Sequence, residues 1–144
     1  MRSKRLEMLY RTLIKEHSNN PKNKRTLENA TGEIELFNPS CGDLMIIQFK
    51  LDHDILTEVC FEGQGCAISM ASASMMTELM QGKSINEAKD LIGQFYQLVQ
   101  GNKEVDTKLL KDAVYLEGVS KFPTRIRCAT LSWHALEQGL KEQE

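Results

Sequence analysis

The sequence predicts an α+β fold, a small antiparallel three-stranded sheet with helices packed on one face. Three observations predict it. Between Glu33 and Glu62, apolar residues alternate along three segments joined by short connections, as in an antiparallel meander. From Cys66 onward, apolar residues recur at helical spacing, punctuated by glycines and capping residues. The 144 residues suffice for one core and are too few for two, so residues 1–144 are expected to form a single domain.

Leu6, Leu9, Tyr10, Leu13 and Ile14 lie at helical spacing and predict an amphipathic N-terminal helix. Its stripe is expected to dock on the domain's own core, with partner binding as the lesser alternative. Ser18 to Asn29, rich in Asn and Lys around Pro21, reads as an exposed, mobile loop, and His17 beside it is a weak ligand candidate. Glu33 to Phe37 is the first strand and runs into a Pro39–Gly42 turn. Leu44 to Leu51 is the second, with Met45, Ile47, Phe49 and Leu51 on one face. After the turn at Asp52-His53-Asp54, where His53 is expected to face solvent, Ile55 to Glu62 is the third. Alternation there puts Ile55, Thr57, Val59 and Phe61 on the covered face and Cys60 between Glu58 and Glu62 on the polar one, where it reads as a bystander thiol.

Gly63-Gln64-Gly65 is a hinge that delivers Cys66 to the start of a helix, Ala67 to Gln81, which Gly82 ends. Its small residues Ala71 to Ser74 allow close packing on the sheet. Ser84-Ile85-Asn86-Glu87 is a capping box opening the next helix, whose core positions are Ile85, Ala88, Ile92, Phe95 and Val99. Asp106 is placed to cap a short helix through Tyr115. Pro123-Thr124 precedes a last helix, Arg125 to Leu140, with Ile126, Ala129, Trp133, Leu136 and Leu140 as its inner stripe and Trp133 as a core anchor.

The formal net charge of −2 gives no electrostatic case for nucleic acid as a partner. Charge is uneven, however. Arg2, Lys4, Arg5, Arg11, Lys15, Lys22, Lys24 and Arg25 face only Glu7 and Glu16 in the first 25 residues, so this end either attracts an acidic protein surface or is simply solvated. No apolar run reaches membrane-spanning length, and no secretory segment is evident. Four irregularly spaced cysteines without a signal peptide point to a reducing cytoplasm and to reactive or metal-binding thiols.

The chemistry gathers on Cys41, Asp43, Cys66 and Cys128. In extended chain, Cys41 and Asp43 project to the same side, and Gly42 leaves room for close approach. Cys66 and Cys128 each fall near the start of a helix, where unpaired N–H groups and the dipole favour a thiolate. If the Cys41 turn faces those helix ends, three sulfurs and one carboxylate converge; such sulfurs select Zn²⁺, Fe or Cu(I), with tetrahedral Zn²⁺ the natural occupant in the isolated protein. Otherwise they are independent buried thiols. Asp43 is the harder and more easily displaced ligand of such a set. Arg125 and Arg127 either screen its negative charge or lie on a solvated helix face.

Asn38-Pro39-Ser40-Cys41-Gly42-Asp43, Glu62-Gly63-Gln64-Gly65-Cys66-Ala67-Ile68-Ser69 and Lys121-Phe122-Pro123-Thr124-Arg125-Ile126-Arg127-Cys128-Ala129-Thr130-Leu131 together resemble the iron–sulfur cluster assembly family typified by IscU and the N-terminal domain of NifU. The likeness covers nearly the whole chain. Arg127 where IscU-like scaffolds carry a histidine, and the longer stretch from Gln81 to Lys121, make it look closest to the SufU branch. The resemblance implies zinc held by Cys41, Asp43, Cys66 and Cys128, with a SufS-type cysteine desulfurase as partner. It further implies that Cys41 accepts persulfide sulfur for downstream iron–sulfur assembly proteins. A scaffold on which a cluster is built and handed on is the alternative function.

Overall fold

The computed structural model describes residues 4–102 and 104–143. The chain runs α1 (Lys4–Asn19), β1 (Gly32–Asn38), β2 (Asp43–Asp52), β3 (Ile55–Gln64), α2 (Ala67–Met80), α3 (Ile85–Val99), α4 (Thr107–Leu110), a 3-10 segment (Lys111–Lys121) and α5 (Pro123–Lys141). The strands form one antiparallel sheet in the order β1-β2-β3. Met45, Ile47 and Phe49 on β2 lie on its covered face as expected, all fully buried. Helices α2 and α5 lie on that face, with α3 and the 3-10 segment packed outside them. This gives the expected α+β architecture.

One strand departs from strict alternation. A register shift at Lys50/Leu51 pairs Lys50 with Glu58 but Leu51 with Leu56, so Thr57 is an extra residue on β3. The bulge exchanges the faces beyond it. Leu56 joins Val59 and Phe61 in the core, while Ile55, expected inside, is exposed. The sheet's other face is not simply polar and open either. Residues 20–29 are held against the sheet instead of moving freely: the Phe61 N–H donates to the Asn23 carbonyl at 3.0 Å along the free edge of β3, and the Leu27 N–H donates to Gln48 Oε1 at 2.8 Å on that face. Leu27 is buried on the inner side of this cover, and Gln48 and Cys60 are buried beneath it.

The helices hold tightly to the sheet. A Cβ added at Gly139 on α5 would stand 2.6 Å from Phe49, so only glycine lets the helix approach that ring. Phe95 of α3 stacks on Trp133 of α5 with centroids 3.8 Å apart, and the Trp133 indole N–H donates to Ser72 Oγ on α2 at 2.9 Å. Trp133 is thus the core anchor expected. The Ser84/Glu87 capping box opens α3 as read. Asp106 does cap α4, but that helix stops at Leu110, where Lys111 takes φ 49°, and a 3-10 segment continues instead of a helix through Tyr115.

On α1, Ile14 is buried and Leu13 and Tyr10 are half-buried, whereas Leu9 is exposed, so the docked stripe is narrower than expected. The side chain of Leu6 lies outside the described residues. His53 faces solvent beside Asp52, as expected.

His17 has a role that its position beside a presumed mobile loop concealed. It is 5% exposed, and Nδ1 lies 2.7 Å from Ser74 Oγ on α2. Its Nε2 lies 2.9 Å from Asp112 Oδ2 on the 3-10 segment, so one imidazole ties three elements together. Replacing His17 with Ala is expected to cost about 2 kcal/mol of stability, since two hydrogen bonds and buried ring contacts vanish together. Urea unfolding measures it; a loss under about 0.5 kcal/mol, as at a neutral surface site, would show the tie to be idle.

Candidate metal centre

The β1–β2 connection is shaped by Asn38 before it presents any chemistry. The Asn38 carbonyl accepts the Gly42 N–H at 2.8 Å and its Oδ1 accepts the Ser40 N–H at 3.2 Å, closing a tight turn. Gly42 sits at φ 70°, which an L side chain resists. Cys41 is therefore carried on a turn and Asp43 on the first residue of β2, and they meet through that turn instead of through strand alternation.

Cys41, Asp43 and Cys128 converge: their ligand atoms all lie within 4.8 Å of one another. The Cys41 and Cys128 sulfurs are 2.9 Å apart, and all four cysteines are free. Asp43 is 0% exposed, and its Oδ1 accepts the Cys66 N–H at 2.9 Å. Asn38 Nδ2 reaches towards both Asp43 Oδ2 at 3.5 Å and Cys128 Sγ at 4.0 Å. The sequence reading missed Asn38, although an Asn heading a Pro-Ser-Cys-Gly turn is the available signal.

Cys66 stands beside this trio and outside its mutual spacing. Its sulfur caps α2, accepting the Ser69 N–H at 3.4 Å with Ser69 Oγ at 3.5 Å. A sulfur at the start of this helix is the placement expected from the sequence. Gly65 permits the close fit, because a Cβ there would stand 2.6 Å from Asp43 Oδ1.

The helix-terminus argument does not extend to Cys128. Helix α5 begins at Pro123, two residues before the expected start, so Cys128 is its sixth residue and lies past the first turn. There the dipole has faded. Burial pushes the Cys128 thiol well above the usual range, and its contacts with Cys41, Asp43 and Cys66 push the same way. The nearby Cys128 sulfur, and after it Cys66, hold the Arg125 guanidinium more firmly protonated. Arg125 thus screens the site, whereas Arg127 is exposed and lines a separate depression with Phe37.

The donor set fits a soft divalent metal. Two sulfurs and a carboxylate already face one point, a third sulfur adjoins them, and the buried carboxylate has one firm hydrogen bond and little else to offset its desolvation. His17, Glu78 and Asp112 form a second cluster within 4.8 Å, but both ring nitrogens of His17 have protein partners.

These features define a class: a small α+β domain that gathers cysteine sulfurs and a buried carboxylate where a sheet hairpin meets two helices. Residues 9–142 match the NifU-like N terminal domain, and the chain belongs to that family. It is 48% identical over 139 residues to the zinc-dependent sulfurtransferase SufU of Bacillus subtilis strain 168, covering 96% of this chain and 94% of that protein. It is 41% identical over 137 residues to the iron–sulfur cluster assembly scaffold protein IscU of Streptococcus pyogenes serotype M1, covering 95% and 86%. A solved structure described as a candidate SUF-system cluster assembly scaffold from Fervidobacterium islandicum AW-1 superposes with a TM-score of 0.86 at 36% identity, covering 93% of this chain and 98% of that one.

Cys60 lies outside the site. It is fully buried, not surface-exposed as its polar neighbours suggested, and burial is the first cause raising its thiol pKa, with Glu58 adding to it against Arg25 and Lys50. A raised pKa lowers the thiolate fraction at any pH below it, so at pH 8 Cys60 should alkylate more than about tenfold slower in the folded protein than in urea. Iodoacetamide labelling with peptide mapping checks this; equal rates would contradict the burial.

Proposed function

We propose that the protein is a zinc-dependent sulfurtransferase that accepts persulfide sulfur from a SufS-type cysteine desulfurase for iron–sulfur cluster assembly. The observation that carries this reading is the placement of a partly exposed Cys41 on a turn, in contact with Cys128 and Asp43. The likeness to the sulfurtransferase SufU supports it. Cys41, Asp43 and Cys128 would hold zinc, with Cys66 completing the set. When bound, zinc keeps coordinating sulfurs deprotonated at neutral pH.

The chain's own residues have distinct parts in this reading. Asn38 and Gly42 shape the turn that presents Cys41 at the surface. Asp43 fixes the Cys66 backbone, and Arg125 offsets the charge gathered around Cys128. In the transfer step the Cys41 thiolate attacks the terminal sulfur of the donor's cysteine persulfide. A bond forms between Cys41 Sγ and that sulfur, the donor's S–S bond breaks, and the donor cysteine leaves as a thiolate, with no external oxidant or reductant. Cys66 and Cys128 are tied to helices, so the turn is the part free to move. The whole chain acts as one domain, and four free cysteines suit a reducing cytoplasm.

The scaffold function is the second reading, favoured by the likeness to IscU. Colour separates the two. A brown protein carrying iron and acid-labile sulfide supports the scaffold, and a colourless one with a single tightly held zinc supports transfer.

Incubating the protein with its desulfurase and free cysteine, trapping persulfides by alkylation and mapping them by mass spectrometry should place the sulfur on Cys41. The label should require the desulfurase and disappear in Cys41→Ser. A label chiefly on Cys60, or one that survives in Cys41→Ser, would end this mechanism.

A further inference from the structure

Two depressions flank the thiol site. One, of about 650 Å³, runs from Tyr10 and Arg11 on α1 past Cys66 and Ile68 to Lys121, Phe122 and Arg125. The other, of about 300 Å³, lies between Phe37 and Pro39 of the hairpin and the Arg127, Leu131 and His134 face of α5. None of the residues lining either depression is Asp or Glu, although Asp and Glu outnumber Lys and Arg by 20 to 18 in the chain. A depression on the far side of α3 shows the contrast, being lined by Asp90, Glu104 and Asp106 along with Lys89. An exposed aromatic edges each flanking depression: Phe122 and Phe37 are both 60% exposed.

We propose that this surface is a docking collar for the sulfur donor, and that its larger groove takes a donor segment bearing an apolar side chain flanked by carboxylates. The inference rests on the sulfur-transfer reading and adds the chemistry of the partner's contact surface. Charge complementarity selects the occupant. An apolar groove edged by Arg11, Lys121 and Arg125 attracts carboxylates and repels a basic segment, within a chain that is otherwise slightly acidic. The apolar share comes from Tyr10, Ile68 and Phe122, which a charged small molecule would leave unmatched. Groove and site join at Cys66, which lines the groove together with Arg125. A segment seated there is held next to the sulfurs. The basic N-terminal stretch therefore includes a residue of the interface, Arg11, and is not only a solvated face.

The test titrates the zinc-loaded protein into desulfurase turnover. Wild type is compared with the double variant Arg11→Glu/Lys121→Glu, with Phe122→Ala, and with Lys141→Glu at the opposite end of α5. Zinc content and melting curves confirm that each variant is intact. The double reversal should raise the KM for this protein by about tenfold or more while leaving kcat nearly unchanged. Phe122→Ala should raise it several-fold, and Lys141→Glu by less than about twofold. Added salt should weaken wild type more than the double reversal.

A double reversal with unchanged KM and an unchanged salt response overturns the collar while leaving sulfur transfer intact. A wild-type protein that neither stimulates the desulfurase nor acquires persulfide overturns both. Should wild type alone form a dimer that the double reversal dissolves, the collar belongs to a second copy and the proposal fails.

Discussion

Asp43 is the constraint on which the site depends. It is the first residue of β2, it is shut off from water, and its one firm hydrogen bond comes from the Cys66 backbone. A carboxylate so placed is costly unless a positive group offsets it. The protein surrounds it with sulfurs and sets Arg125 at the edge of the cluster, against Cys128. That arrangement is hard to justify as packing and easy to justify as a set of metal ligands. It also explains the glycine before Cys66, since any larger residue there would press on the same carboxylate.

The fold serves this constraint by making most of the site rigid. Cys66 is fixed at the head of α2 by its capping bond, and Cys128 is buried on α5, whose packing includes Trp133, Phe95 and the glycine contact on Phe49. Moving either sulfur would disturb the core. Cys41 is different, because its turn is held by hydrogen bonds to Asn38 and little else. Rigid ligands on three sides and one sulfur on a turn suit a site that must release a nucleophile without coming apart.

Much of this was legible in the chain. The strand alternation of Met45, Ile47 and Phe49, the capping box at Ser84, and the three cysteine-bearing motifs each carry local physical signals, and these fixed the architecture and the candidate ligands. What was not legible depends on distant partners. The bulge at Thr57 is set by pairing with β2, so it exchanged Ile55 for Leu56 without a mark in the sequence. Cys60 looked polar and exposed because nothing local shows that residues 20–29 lie across it. His17 was discounted for its neighbours, although its partners, Ser74 and Asp112, lie 57 and 95 residues away. The start of α5 at Pro123 moved Cys128 away from the helix terminus, and only the proline's preference for a first helical turn hinted at it.

The central claim is that residues from a hairpin turn and two helices form one metal site of mixed sulfur and oxygen donors. X-ray absorption at the zinc edge, on protein purified without added metal, tests it most directly. The account predicts one zinc per chain, bound by three sulfurs at about 2.3 Å and one light atom at about 2.0–2.2 Å. A zinc bound by fewer than three sulfurs, or a shell of nitrogen and oxygen alone, would contradict it.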